Sequence, residues 1–175
     1  LGVETVQPTV LSGHPRLHDE LRGRGAFADV TTAIASASAA GLRVVVSMVI
    51  TKVNADQAGS VAELSFALGA TELTLSRLCT VGAAARPEAR HLVPSPDDVR
   101  RACLEAVEAC RKLSLPLSAA ITIPRCVWGA GRKPPLPVGV CSLMGSTTTI
   151  TVAPDGQARS CCLSTEPMGS LVHED

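Results

Sequence analysis

Four of the seven cysteines, Cys126, Cys141, Cys161 and Cys162, fall in the last third of the chain, and their spacing is its strongest chemical signal. Between Cys141 and Cys161 runs S-L-M-G-S-T-T-T-I-T-V-A-P-D-G-Q-A-R-S. The β-branched stretch Thr147 to Val152 reads as a strand, Ala153-Pro154-Asp155-Gly156 as a tight turn, and Gln157 to Cys161 as the returning strand. A hairpin framed by two cysteines can be closed by a disulfide, can present two thiolates to a metal, or can bury two ordinary thiols. Seven cysteines with no visible secretory leader point to a reducing, cytoplasmic setting, and to metal or redox chemistry before disulfides. The Cys-x₂₋₄-Cys knuckle of a structural zinc site is absent. Cys161 and Cys162 are adjacent and point to opposite faces of an extended chain, so only one shares a site with Cys141. Cys126 and Cys162 are the further candidates for that site.

The remaining three cysteines read as packing. Val99, Cys103, Ala106, Val107, Cys110 and Leu113 form one apolar stripe of a helix, which predicts two buried structural thiols. Cys79 follows a strand at its C-terminal end, where β/α enzymes place chemistry, but a lone thiol there is more often a packing residue. His14, His91 and His173 sit in polar loop contexts and need no function.

The elements that must position these residues alternate from the first residue to about Pro124. Gly2 to Val10 is a short apolar strand. Phe27 to Ala40 is an Ala-rich helix with Gly41 placed to cap its C-terminus. Arg43 to Ile50 is a near-continuous apolar run, as expected of a strand buried on both faces of a parallel sheet. Asp56 is the expected cap of a helix running to Leu68 and stopping at Gly69, and Glu72 to Leu78 is the next strand. Ser95-Pro96 opens a long helix, Asp97 to Leu113, with acidic residues in its first turn and Arg111-Lys112 in its last. Leu117 to Ile123 is a fourth strand. Repeated strand–helix–strand order predicts parallel strands with right-handed crossovers, in part of a β/α barrel or an open doubly wound sheet. Residues 125–140 read as a Pro/Gly-rich linker, giving a 1–124 β/α domain, that linker, and a 141–175 cysteine-framed hairpin.

Composition narrows the function classes. Sixteen basic and sixteen acidic residues cancel, and aromatic residues make up 2%, so neither bulk charge nor stacking platforms point to nucleic acid. No apolar run approaches the roughly 18 residues that span a membrane. Neither G-x-G-x-x-G nor G-x-x-x-x-G-K-[ST] follows a strand, which argues against a nucleotide-binding Rossmann or P-loop site.

The interval Cys141-x₁₄-Gly156-x₄-Cys161 resembles the opening of the SPASM domain, the auxiliary-cluster module of radical S-adenosylmethionine enzymes, whose signature begins C-x₉₋₁₅-G-x₄-C. Pro154-Asp155-Gly156 resembles that family's hairpin turn, and Met168-Gly169-Ser170-Leu171 its following G-x-I/L segment. Upstream, Thr9-Val10-Leu11-Ser12 with His18-Asp19-x₃-Gly23-x-Gly25-x-Phe27 is similar to the family's fourth barrel strand and its continuation. Asn54 matches the asparagine usual after the fifth strand, and Arg77 to Gly82 resembles the sixth strand and its exit, with Val81 in place of a proline.

The resemblance implies an α/β fold, the second half of a six-stranded partial β/α barrel followed by the β-hairpin start of a SPASM domain. It implies Cys141 and Cys161 as ligands of an auxiliary 4Fe–4S cluster, a centre that takes thiolates, usually four. It places Thr9, Asn54 and Arg77 at the mouths of their strands around S-adenosylmethionine; the residue-level alternative for Asn54 is a turn residue after a strand. His18-Asp19 reads as a cap of the following turn, with a Brønsted role as the alternative. The full-length parent would cleave S-adenosylmethionine to a 5′-deoxyadenosyl radical acting on a substrate, often a peptide or small protein. The departures are specific. No C-x₃-C-x₂-C loop for the radical-generating cluster occurs in these residues, nor do the first three barrel strands or the later SPASM cysteines. The expectation is an internal piece of such an enzyme that does not cleave S-adenosylmethionine by itself.

Two other classes remain at this level. One is a truncated, non-enzymatic relative that binds a peptide or partner. The other is a β/α-barrel lyase using Lys52, at the end of a buried strand, as a Schiff base; a lysine simply entering solvent is its plainer explanation.

Overall fold

Side-chain alternation in one strand organises the first unit. In β2 (Arg43–Ile50), Val44, Val46, Met48 and Ile50 are fully buried, Arg43 is exposed, and Ser47 and Val49 are half-buried. The computed structural model describes residues 2–119, 123, 125–129, 131–138 and 150–172, with backbone only at 125 and 126. Strand β1 (Thr5–Val6) pairs with β2 in parallel, Thr5 opposite Arg43. Strand β3 (Glu72–Arg77) runs parallel on the other side, from Val45 opposite Glu72 to Ile50 opposite Arg77, and β4 (Leu117–Ala119) follows beyond it. The sheet order is β1-β2-β3-β4.

Between these strands stand α1 (Pro15–Arg22) and α2 (Ala26–Ala39), then α3 (Ala58–Ala67), then α4 (Pro96–Leu113). Ile34, Val61, Ala62, Val99, Ala102 and Ala106 join Val44, Val46, Met48, Leu73 and Leu75 in one core. Burial of each larger side chain among them is worth about 1.5–3 kcal/mol. The opposite face carries Thr5, Arg43, Ser47, Glu72, Thr74 and Ser118, in register across the four strands. There the Arg43 guanidinium meets Glu72 at 2.6 Å, and Ser118 Oγ donates to the other Glu72 oxygen at 2.6 Å. β2 is therefore fully buried on the helix side, whereas on its other face Val45 is buried, Ser47 and Val49 are half-buried and Arg43 is exposed. The strands follow chain order without reversal, so the helices gather on one side. The described strands form a mixed α/β unit with a four-stranded parallel sheet and close no barrel.

Local chemistry sets the helix ends. The Ser95 hydroxyl accepts from the Asp98 N–H at 3.1 Å and the Asp98 carboxylate accepts from the Ser95 N–H at 2.9 Å, a capping box, with Pro96 as the first helical residue. The Ser95 N–H, and the Ser95 hydroxyl that donates to the same carboxylate at 2.8 Å, hold the Asp98 carboxyl below the usual carboxylate range. Ser95→Ala removes one partner and is expected to cost about 1 kcal/mol. Calorimetry checks it, as a fall in Tm of about 2–4 °C. At the end of α2, Gly41 takes φ +75°, and the Gly41 and Leu42 amides donate to Ser38 and Ala37 oxygens, which closes the helix. Helix α3 differs from expectation: Gln57, not Asp56, is its cap residue, and no side chain caps it. The Gln57 amide donates to Asn54 O at 3.0 Å, so the preceding turn directs the chain into the helix. Cys103 and Cys110 are buried on α4, and burial pushes their thiols up to about 12 and about 11.

The expected linker at 125–140 is largely part of this unit. Val127, Trp128 and Leu136 are buried in its core, and Val138 bridges Ala119 beyond β4. Apolar side chains spaced among the prolines and glycines give this stretch something to bury. The chain divides after Gly139. Of the expected fourth strand, residues 120–122 lie outside the described residues.

The second unit spans Val140–Asp175. Its described part is a three-stranded antiparallel sheet of β5 (Thr151–Val152), β6 (Gln157–Arg159) and β7 (Gly169–Ser170). Gly156 turns the hairpin at φ +82°, and Val172 Cγ2 would lie 2.4 Å from a Cβ placed there. The positive φ favours glycine at this position, and any larger residue would also displace the Val172 side chain. No helix among the described residues is long and apolar enough to cross a membrane.

Candidate functional site

Three strands end side by side at the C-terminal edge of the parallel sheet, the edge where α/β folds commonly bind ligands. Thr9 pairs with Ser47 in an isolated bridge, Asn54 lies in the turn after β2, and Arg77 closes β3 opposite Ile50. The structure thus brings these three segments to one edge, and hydrogen bonds join the first two.

Asn54 is fully buried and uses its whole amide within the protein. Its Oδ1 accepts from the Thr51 N–H at 2.7 Å and the Thr51 hydroxyl at 2.8 Å. Its Nδ2 donates to Leu11 O at 2.9 Å and Val49 O at 3.0 Å. An amide offers two donors and two acceptor positions, and all four are taken. Asn54 therefore does not offer a free group to a cofactor in this arrangement; it ties the exit of β1 to the exit of β2.

The same exit is held by a second group. His18, 1% exposed, accepts the Leu11 N–H at Nδ1 over 3.2 Å and meets the Phe27 ring edge-on at 5.7 Å between centroids. Burial, first, and Arg22 lower its pKa below 6.5, while Asp19 opposes them. Asp19 accepts from the Gly25 and Phe27 amides at 2.8 Å each, supplying the cap that α2 otherwise lacks. The Phe27 and Gly25 bonds hold its carboxyl below the usual range. Ser12, wholly buried, donates to Gln57 Oε1 at 3.0 Å and accepts from the His14 N–H at 2.9 Å. Thr51 and Gln57 were not singled out from sequence, and Ser12 only as part of the Thr9–Ser12 motif; their nearness to strand ends was the available signal.

Arg77 is half-buried, and its Nε is buried without a hydrogen-bond partner among the described residues. Its register with Ile50 puts it in the alternation of Leu73 and Leu75, the helix-covered side, and not on the Thr9–Ser47 side. Cys79 is half-buried two residues later, and its thiol donates to Arg77 O at 3.7 Å. Lys52 is exposed and its amide donates to Leu92 O at 2.9 Å. A solvent-facing lysine lacks the desolvation that activates a Schiff-base amine.

In the second unit, Cys161 follows β6 in a turn closed by the Ser164 N–H donating to Cys161 O at 3.0 Å. Cys161 is half-buried, and its Sγ accepts the Leu163 N–H at 3.4 Å. Cys162 is exposed. Cys141 lies outside the described residues, as does the side chain of Cys126, so the Cys141–Cys161 pair is read from sequence. Among the described residues no group of three or more His, Cys, Asp or Glu is assembled for a metal. No protein-family model matches this chain, and no curated protein sequence matches it significantly.

Proposed function

We propose that the chain is part of a radical S-adenosylmethionine enzyme with a SPASM auxiliary cluster, modifying a peptide or small protein. The observation that carries this reading is the Cys141-x₁₄-Gly156-x₄-Cys161 interval, with Gly156 at the positive-φ turn and Cys161 just past the returning strand. Cys161 Sγ accepts a backbone N–H, a contact it could keep as a metal ligand, and Cys141, eight residues ahead of the position that the hairpin register sets opposite Cys161, would supply the second thiolate. The parallel sheet in chain order, with Arg43, Glu72 and Ser118 on the face away from the helices, supports the partial-barrel part of the reading.

Bound iron–sulfur clusters supply one-electron chemistry. The chain's own residues hold and orient. The Thr9 hydroxyl would bind from the first strand's exit, and Arg77, on the helix-covered side, would offer a carboxylate an Nε that has no partner among the described residues. Asn54 acts at one remove, by fixing the segments that carry Thr9 and Thr51.

The three-cysteine loop is absent from these 175 residues. They are therefore expected to release no 5′-deoxyadenosine from S-adenosylmethionine after anaerobic reconstitution, whereas the product of the natural reading frame is expected to release it. Product from the isolated residues would refute the division of labour. A natural protein with neither iron nor this activity would leave the non-enzymatic, partner-binding reading in its place.

A further inference from the structure

Leu11 is gripped through both of its backbone polar groups. Its N–H donates to His18 Nδ1 and its C=O accepts from Asn54 Nδ2. The bond directions fix the state of the ring: Nδ1 is an acceptor, so the imidazole is neutral with its proton on Nε2. We propose that His18 and Asn54 form a two-sided clamp on Leu11 that positions the Thr9–Ser12 exit of the sheet, and that acid opens its His18 jaw.

The reasoning is one of donors and acceptors. In the imidazolium both ring nitrogens are donors, so a protonated His18 turns an N–H towards the Leu11 N–H, and the bond is replaced by a repulsion. The ring is 1% exposed, and solvent cannot relieve the conflict while it stays in place. The charged groups acting on it are Asp19, which favours the cation, and Arg22, which opposes it, both on its own helix. The other elements packed on the ring present neutral groups, the Phe27 edge from α2 and the Leu11 amide from the β1 exit. Neither offers the cation a new acceptor.

The sign follows from these causes. The folded pKa lies below 6.5, so the open form binds the proton more readily. Clamp stability is complete above that value and is lost as pH falls through it, by at most about tenfold in the opening constant per pH unit for one proton. Release of Leu11 also frees its carbonyl from Asn54 and so loosens the link to the β2 exit. The clamp is a property of this fold whichever group binds at the edge.

Hydrogen exchange on the full chain between pH 8 and 5 tests the clamp, with intrinsic exchange rates divided out. The Leu11 amide is expected to lose up to about tenfold protection per unit below pH 6.5, while Met48, in mid-β2, holds its protection. In His18→Asn the amide oxygen can stand where Nδ1 stood and does not titrate, so the slope should vanish. A flat Leu11 profile, a slope that persists in His18→Asn, or equal loss at Met48 would each overturn the proposal. If that variant fails to fold, ¹⁵N spectra of wild-type His18 decide instead. The Nε2–H tautomer, titrating together with Leu11 release, supports the clamp; the Nδ1–H tautomer or a separate titration contradicts it.

Discussion

Asn54→Ala is expected to destabilise the first unit by about 3–5 kcal/mol, among the largest effects of any single side chain here. The substitution strands a buried amide, two carbonyls and a hydroxyl at once: Thr51 N–H, Leu11 O, Val49 O and Thr51 Oγ1. A buried polar group left without a partner costs about 1–3 kcal/mol, and relaxation of the Thr51 hydroxyl towards another acceptor trims the sum. Asn54→Asp is expected to be no milder. It keeps the acceptor for Thr51 but loses both donors and buries a charge. Urea unfolding followed by circular dichroism reads the effect as a fall in midpoint. A ligand-binding asparagine with spare hydrogen-bonding capacity would behave differently, with stability within about 1 kcal/mol of wild type and binding alone impaired. That result would return Asn54 to the cofactor-binding role its sequence position suggested.

The second large effect concerns the hairpin cysteines. Cys161→Ala removes a sulfur that receives a backbone N–H at the end of β6, and Cys141→Ala its proposed partner. Thiolate sets are not redundant, since each iron of a cluster needs its own terminal ligand. Loss of both is therefore expected to abolish the auxiliary cluster and not merely weaken it. Cys162→Ala is the comparison: its side chain is exposed, next to the proposed ligand Cys161. Cys103 and Cys110 are a control, because burial holds both as neutral thiols far above working pH.

The elements that could be read from sequence are those governed by neighbours in the chain. Ser95-Pro96 with Asp98 announces the start of α4, and Gly41 the end of α2, because caps act within one turn. The Pro154-Asp155-Gly156 turn follows from the φ that Gly156 supplies. What escaped depends on distant partners. Asn54 bonds to Leu11, 43 residues away, and no local pattern tells an occupied amide from a free one. The face taken by Arg77 depends on its register with Ile50, which a one-residue shift would reverse. The first strand was expected from Gly2 to Val10, but only Thr5–Val6 and the Thr9 bridge pair with β2, with Pro8, which has no N–H, between them. Residues 125–138 looked like a linker because prolines and glycines dominate them; Trp128, Val127 and Leu136 pack nonetheless. In the candidate site, Thr9 and Arg77 were legible as strand-end residues, whereas the His18–Leu11–Asn54 connection needed the folded chain.

The central claim is that Cys141 and Cys161 hold an auxiliary iron–sulfur cluster. Iron and acid-labile sulfide per chain, measured after anaerobic reconstitution of the natural protein and of its Cys141→Ala/Cys161→Ala variant, test it most directly. The expected result is a loss of about four iron and four sulfide in the double variant, with Cys162→Ala at wild-type content. Unchanged iron and sulfide in the double variant would contradict the ligand assignment and the function built on it.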